Sequence, residues 1–110
     1  MTKSAVTKPK FTLGRVLINK TAVPLLPRYD LDCALKRHRI GDWGEVGKPE
    51  WARNEKALRA NTSVCSLYHA SNGISFYVIT EWNRLVTLVQ LADDEQSVAP
   101  SLEKEGALVY

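Results

Sequence analysis

Apolar side chains in the first half of the chain recur at helical spacing. One face of the first predicted helix contains residues at i, i+3, i+4 and i+7, namely Leu31, Ala34, Leu35 and His38. Asp30 is placed to cap the start of this helix, and Gly41 can adopt the left-handed conformation that ends it. A second helix is predicted from Pro49, which suits the first helical position, to Asn61 at its end.

The segment before these helices has a different pattern. Phe11–Ile18 is rich in β-branched and aromatic residues around one glycine, and it predicts a strand. Thr21–Leu26 predicts a short helical turn that begins at the Thr21 hydroxyl and ends before Pro27. Residues 1–10 carry lysines and few apolar side chains, which predicts a flexible basic tail.

Strand patterns dominate the second half of the chain. Val64–His69 and Ile74–Thr80 are joined by a Ser-Asn-Gly turn, and a second turn leads into Leu85–Leu91, so these runs predict an antiparallel meander. The second and third runs are apolar on both faces, and such a sheet needs a cover on each face. The helices can cover one face. Because the other must meet the C-terminal residues or a second copy, we expect a homodimer packed through the β-sheet.

These elements predict a single α+β domain. An N-terminal strand and two to three short helices pack on a three- to four-stranded antiparallel β-meander. The length of 110 residues fits one domain. We place the domain at residues 11–95, after the basic tail at 1–10 and before a C-terminal extension at 96–110. The last four residues, Ala107 to Tyr110, are apolar enough to dock on the domain.

Composition limits the class of protein. With 45% hydrophobic and 25% charged residues, the chain is neither a disordered protein nor a disulfide scaffold. Its two cysteines, Cys33 and Cys65, are expected to be free thiols. The apolar stretches are too short or too interrupted for a signal peptide or a membrane span. The sequence therefore predicts a soluble, cytoplasmic protein without a membrane partner.

Charge is distributed unevenly along the chain. Residues 1–59 hold 13 Lys and Arg against 6 Asp and Glu, whereas residues 60–110 hold 2 against 6. Such cations can contact phosphates, so weak nucleic-acid binding is one alternative function. Acidic residues at positions 42, 45 and 50 follow the basic end of the first helix, however, and a solvated surface explains the charges better. Nucleic acid is therefore a possible partner but not the favoured one.

The most distinctive chemistry lies around His38. A general acid or base needs an imidazole near a cation and a carboxylate that orients it, and Arg39 and Asp42 supply both types nearby. A metal-independent ribonuclease of the toxin type would add hydroxyls and a second arginine. The candidate catalytic residues are then His38, Arg39, Tyr68, Thr80 and Arg84. The structural alternative, which we favour, is a helix-terminal histidine that packs on Trp43.

Three further residues are candidates for binding: Asp42, Trp43 and Asn54. Each has a structural alternative. Asp42 can accept backbone N–H bonds within the Gly-Asp-Trp-Gly loop, and Trp43 can fill the core. Asn54 lies one turn after Trp51 and one turn before Leu58, so it faces partly inward and should bond to the backbone.

Two Cys/His pairs resemble metal ligands only at first sight. On a helix, Cys33 and His38 are about 140° apart around the axis. On a strand, Cys65 and His69 are about 13 Å apart. Neither pair can enter the ~2 Å coordination shell of one zinc ion, so we predict no metal and no cofactor.

Several stretches combine into a more specific pattern: Phe11-Thr12-Leu13-Gly14, Arg37-His38-Arg39-Ile40-Gly41-Asp42-Trp43-Gly44, Ser66-x-Tyr68, and Val78-Ile79-Thr80-Glu81 with Arg84 and Thr87. Over residues 11–91 the chain resembles a family of small prokaryotic proteins carried on plasmids, integrative elements and integron gene cassettes. The family has no established activity, and its members end soon after the last strand, unlike this chain. The resemblance implies a mobile-element origin.

The pattern and the resemblance together predict a non-enzymatic accessory or interaction protein of a bacterial mobile element. We expect it to be dimeric through its sheet, with a further protein partner possible. The alternatives are the small ribonuclease and the weak nucleic-acid-binding protein described above.

Overall fold

The computed structural model describes residues 8–92 and 106–110, which form an α+β fold of two helices and one five-stranded mixed sheet. In chain order the elements are β1 (Arg15–Ile18), α1 (Arg28–Arg39), α2 (Lys48–Ala60), β2 (Val64–His69), β3 (Ser75–Thr80), β4 (Val86–Leu91) and β5 (Leu108–Val109). Residues 1–7 of the predicted tail, 93–95 of the predicted domain and 96–105 of the predicted extension lie outside the described residues.

The sheet has the order β2-β3-β4-β1-β5. Its first three strands form the predicted antiparallel meander. β1 then pairs in parallel with β4, from Arg15 opposite Val86 to Ile18 opposite Val89, and β5 pairs antiparallel with β1. The predicted antiparallel meander of three to four strands is therefore matched in part, because the sheet is mixed and has five strands. The last residues dock on the domain, as their apolar character suggested. Alternation along β1 shows which side chains turn inward but not the direction of the strand beside it.

The N-terminal strand is shorter than predicted because Gly14 interrupts the extended chain. Gly14 has a φ of +65°, and a Cβ there would be 2.3 Å from the carbonyl oxygen of Leu85. Glycine is the residue that tolerates both conditions. β1 therefore begins at Arg15, and Phe11 packs its ring on Trp43 instead of entering a strand.

The predicted caps of the first helical elements are also wrong. In the turn after β1, the acceptor is Asn19 Oδ1, which receives the Thr21 N–H and hydroxyl at 3.0 and 2.7 Å. α1 begins at Arg28, so Asp30 lies in its first turn and accepts the N–H and hydroxyl of Ser71 at 3.2 and 2.7 Å. Asn61 ends α2 in the left-handed conformation, with a φ of 56°, as predicted.

The main core lies between α1 and one face of the sheet. Its buried members include Ile18, Leu26, Leu31, Ala34, Leu35, Phe76, Val78 and Val89. A smaller cluster joins Trp43 and Ala57 to Val64 under α2. On the opposite face of the sheet, Ile79 and Leu88 are 5% and 0% exposed within the single chain. These two side chains therefore do not require a second copy to bury them.

Candidate functional site

His38 lies in the last turn of α1 and is 0% exposed, because the apolar stripe of the helix carries it against the sheet. Two aromatic rings flank the imidazole in edge-to-face geometry. The ring centroid of Phe11 is 5.2 Å away and that of Trp43 is 5.6 Å away. The histidine is thus enclosed by the sheet on one side and by aromatic side chains on the other.

Three hydroxyls from three neighbouring strands complete the surroundings of His38. Its Nδ1 lies 2.6 Å from Ser66 Oγ, and its Nε2 lies 2.9 Å from Thr80 Oγ1. Thr80 Oγ1 lies 2.7 Å from Thr87 Oγ1, and the Thr87 hydroxyl donates to the Leu13 carbonyl at 2.7 Å. These contacts form one continuous hydrogen-bond chain from β2 across β3 and β4.

The last bond of the chain determines the direction of all the others. The single hydroxyl proton of Thr87 is used on the Leu13 carbonyl, so Thr80 must donate to Thr87. Thr80 then accepts from Nε2–H of His38. Because burial lowers the pKa of His38 to about 3, Nδ1 carries no proton at neutral pH and accepts the hydroxyl proton of Ser66. His38 is therefore the neutral Nε2–H tautomer, and both ring nitrogens have partners.

Burial and, to a smaller extent, the positive charge of Arg84 lower the pKa of His38 to about 3. The imidazole is uncharged at neutral pH and has no carboxylate partner in its hydrogen-bond chain. A general base must reach the proton that it removes from a substrate. With 0% exposure and both nitrogens bonded, His38 does not present a nitrogen to solvent.

Of the other predicted catalytic residues, only Thr80 bonds directly to His38. Tyr68 donates its hydroxyl to the Asp42 carbonyl, and burial raises the pKa of that hydroxyl. The Tyr68 ring lies under the Arg37 guanidinium, 4.7 Å from its carbon. Arg39 is half-buried at the end of α1, where its carbonyl accepts the Lys10 N–H at 2.8 Å.

Arg84 connects the β3–β4 turn to the end of α2. Its guanidinium carbon lies 5.4 Å over the Phe11 ring, on which His38 also packs. The guanidinium donates to three backbone carbonyls, those of Ala57, Thr62 and Glu81. Arg84 thus acts on His38 through its charge and through a shared aromatic neighbour.

The three predicted binding residues have internal partners. Asp42 accepts two hydrogen bonds from Arg37 at 2.8 and 3.2 Å, which lower the pKa of its carboxyl, and a third from the Gly44 N–H. Trp43 is 0% exposed and donates Nε1–H to Glu55 at 2.9 Å. Asn54 uses its amide on the backbone of one residue of β2, as predicted.

Asn54 and the loop before α2 close the outer edge of β2. The Asn54 amide donates to the Cys65 carbonyl at 2.9 Å and accepts the Cys65 N–H at 3.1 Å. The Leu67 N–H donates to the Trp43 carbonyl at 3.1 Å, and the Leu67 carbonyl accepts the Glu45 N–H at 2.7 Å. A side-chain amide and a short piece of backbone therefore replace a neighbouring strand.

The glycines of the Arg37–Gly44 stretch make that closure possible. Gly44 has a φ of +77°, and a Cβ there would be 2.1 Å from the Leu67 carbonyl oxygen. Gly41 has a φ of +85° and leaves room for the side chain of Lys10. The most specific stretch of the sequence thus has a structural explanation at each of these positions.

His69 and Cys65, which form one of the two Cys/His pairs that we predicted not to bind a metal, have different surroundings. His69 Nδ1 contacts Ser75 Oγ at 2.7 Å, and burial raises the pKa of the Cys65 thiol to about 12. In residues 8–92 and 106–110, no three His, Cys, Asp or Glu side chains are grouped to hold a metal ion. Across the same residues, no helix has the length and apolar character to cross a membrane.

Sequence reasoning did not connect Ser66 and Thr87 with His38. The available signal was the position of hydroxyl side chains at inward-facing sites of otherwise apolar strands. Ser66, Thr80 and Thr87 are each 0% exposed. Buried hydroxyls need hydrogen-bond partners, and a histidine on the facing helix can supply them.

Sequence reasoning also missed a pocket of about 270 Å³ beside β5. It is lined by Ile18, Val23, Leu26, Arg28, Leu31, Leu108, Val109 and Tyr110. At its rim the Arg28 guanidinium lies 4.6 Å over the Tyr110 ring, and the Tyr110 hydroxyl donates to Asp32. Small-molecule sites usually measure about 300–1,000 Å³, so this pocket is better suited to a single apolar side chain.

Comparison of the chain with protein-family models, curated proteins and solved structures finds no match.

Proposed function

We propose that this protein is a non-enzymatic interaction protein of a bacterial mobile element and that it works as a homodimer. The observation that carries the first part is the state of His38, which is neutral, 0% exposed and bonded at both nitrogens. The imidazole stabilises the interior instead of meeting a substrate. The mobile-element setting is supported by the resemblance of the Arg37–Gly44 stretch, and recombination sites flanking the gene would support it further.

The dimer is supported by the outer edge of β5. Residues along a strand direct their backbone groups alternately to the two sides. The Tyr110 N–H donates to the Val16 carbonyl, so the N–H and carbonyl of Val109 point away from β1. Leu108 and Val109 are 52% and 66% exposed at this edge. Bare edges of this kind are sites of strand pairing.

A second copy fits this edge for two reasons. Two β5 strands can pair antiparallel about a two-fold axis, which would bury the side chains of Leu108 and Val109 that are exposed in one copy. The opposite edge of the sheet is closed by Asn54 and the Trp43–Glu45 backbone. Pairing through β5 therefore ends at two copies.

Val109→Pro tests the dimer. Proline removes the N–H that points outward and retains the bonds between β5 and β1. By light scattering at tens of micromolar, we expect a dimeric mass for the native chain, a dimeric mass for the control Val109→Thr and a monomeric mass for Val109→Pro. A monomeric native chain contradicts the dimer. A dimeric Val109→Pro variant places the interface elsewhere.

Production of the native chain in bacteria tests the absence of ribonuclease activity. We expect normal growth and intact ribosomal RNA, because His38 is sealed from solvent. Purified protein should also leave RNA uncleaved with a chelator present. Cleavage by the native chain that disappears in a folded His38→Gln variant would instead establish the ribonuclease.

A further inference from the structure

Five cations come from three parts of the chain that meet around Phe11: the N-terminal segment, the end of α1 and the β3–β4 turn. They are Lys8, Lys10, Lys36, Arg39 and Arg84, and we call them the basic strip. The three lysines are exposed, and the two arginines are half-buried. Residues 8–92 as a whole hold 13 Lys and Arg against 7 Asp and Glu.

A backbone contact brings the first two parts of the basic strip together. The Lys10 N–H donates to the Arg39 carbonyl at 2.8 Å. The aliphatic stem of Lys10 lies beside Gly41, with its Cδ 3.2 Å from the position that a Cβ would occupy. Lys36 is one helical turn before Arg39 on α1. Lys10 is thus held against the basic end of the helix.

Phe11 connects this group to Arg84. The ring follows Lys10 directly in the chain, and the Arg84 guanidinium carbon lies 5.4 Å over it. Three carbonyl acceptors orient that guanidinium without removing its charge. The basic strip therefore continues from α1 across Phe11 to the β3–β4 turn.

Within residues 8–92 and 106–110, the ion pairs involve other cations. Arg28 pairs with Asp32, and Arg37 pairs with Asp42. Arg37 is therefore compensated although it lies between Lys36 and Arg39 in the sequence. His38 adds no positive charge at neutral pH because burial lowers its pKa to about 3.

Like charges repel, and the helix dipole favours cations only at the end of α1 itself. The helix dipole explains why Lys36 and Arg39 lie at the end of α1. It does not explain why Lys10, which is 29 positions before Arg39 in the sequence, is attached there. An extended polyanion would balance all five cations at once. We propose that the basic strip binds the phosphodiester backbone of nucleic acid without reading its sequence. This activity is independent of the dimer proposed above.

The dependence of binding on salt tests this proposal. About four or five phosphate contacts give a slope of roughly −3 in log K against log salt concentration for a single strand. Fluorescence anisotropy with labelled 20-nucleotide single strands of DNA and RNA, from 30 to 200 mM salt, measures the slope. We expect similar affinities for mixed sequences of equal length.

Two triple variants separate the basic strip from general charge. Lys10→Gln/Lys36→Gln/Arg39→Gln removes three members of the strip. Lys48→Gln/Arg53→Gln/Lys56→Gln removes three exposed cations from α2 and causes the same change in net charge. At 50 mM salt we expect the first variant to lose more than tenfold in affinity and its slope to become shallower by about 2. The control should lose less than threefold.

Equal losses in the two variants would overturn the proposal, because net charge alone would then explain binding. A native slope shallower than −1 would overturn it as well. Light scattering of the same samples keeps the two proposals apart. Unchanged dimeric mass in the strip variant with lost binding supports this site, whereas binding by a monomeric native chain leaves the site standing and contradicts the dimer.

Discussion

The two outer edges of the sheet are built in opposite ways. At β2, the Asn54 amide and the Trp43–Glu45 backbone bond to the N–H and carbonyl groups of Cys65 and Leu67. At β5, the outward backbone groups of Val109 meet no comparable cover among the described residues. The Arg37–Gly44 stretch, which is the most specific part of the sequence, therefore has a structural role at the edge of β2. The edge left bare is the natural place for association.

The closed edge is also joined to the polar interior. Trp43 belongs to the loop that covers β2, and its ring packs against His38. The hydrogen-bond chain then runs from His38 towards β4 and ends at the Leu13 carbonyl. Changes at the β2 side should therefore reduce stability, whereas changes at β5 should alter association. The predictions below test that division.

The largest expected effect is at Gly44. Gly44→Ala places a Cβ 2.1 Å from the Leu67 carbonyl oxygen at a residue with a φ of +77°. We expect the free energy of unfolding to fall by more than about 3 kcal/mol, because overpacking and backbone strain act together. Gly73→Ala is the matched control, since its φ is +88° but nothing lies within 4 Å. It should cost about 1 kcal/mol. Equal urea midpoints for the two variants would show that β2 is not tightly closed.

Asn54→Ala comes next and compares the two edges directly. It leaves the Cys65 N–H and carbonyl without partners, which costs about 3 kcal/mol for two partly buried groups. The stability of Asn54→Asp should lie between those of the native chain and Asn54→Ala, because a carboxylate accepts the Cys65 N–H but cannot donate to the Cys65 carbonyl. At a protein concentration low enough to dissociate the dimer, Val109→Pro at the other edge should change the free energy of unfolding by less than about 0.5 kcal/mol. Chemical denaturation of all three measures the contrast.

The third prediction concerns pH. Folded His38 has a pKa of about 3, whereas an unfolded histidine titrates near pH 6.5, so the unfolded chain binds the extra proton between these values. The His38 contribution is complete above pH 6.5 and is lost as pH falls towards 3, by up to about 1.4 kcal/mol per pH unit. By pH 5 the loss is roughly 2 kcal/mol.

Denaturation at pH 7, 6 and 5 measures this loss, with His38→Gln as the comparison because the amide does not titrate. We expect the native chain to lose stability more steeply than the variant across this range. Parallel curves would mean that His38 is solvated, which would reopen its candidacy as a catalytic base.

The smallest expected effect is at the ion pair between Arg37 and Asp42. Their side chains are 46% and 41% exposed, so solvent screens the pair. Arg37→Gln should cost less than about 1 kcal/mol, and 1 M salt should remove most of the difference. A larger loss that salt does not reduce would indicate that the Tyr68 contact, rather than the charge, holds this corner.

Local pattern predicted a large part of the fold. The period of α1 placed His38 on the buried face, and alternation located β2 within its observed bounds and β3 and β4 to within one residue at their starts. The parallel pairing of β1 with β4 was missed, because a strand's own alternation is the same beside either kind of neighbour. The prediction of helix caps was less reliable, because several polar side chains near a helix start can serve as the cap.

The sequence predicts which side chains of the candidate site face inward, but not the hydrogen bonds that join them. Inward positions for Ser66, Thr80 and Thr87 follow from strand alternation, and the inward position of His38 follows from helical spacing. Their meeting depends on how α1 crosses β2, β3 and β4. The tautomer of His38 depends on that meeting, because the Leu13 carbonyl at the far end orients the hydroxyls of Thr87 and Thr80.

By itself the sequence determined which side chains turn inward, where glycine must permit a turn, and that the first half is basic. Only the tertiary structure decided that His38 is neutral and sealed, that Asn54 and the Trp43–Glu45 backbone close β2, and that Lys10 joins Arg39. The physical reason is that periodicity records burial along one element. Hydrogen bonds, edge coverage and the field of grouped charges depend on which distant elements are brought into contact.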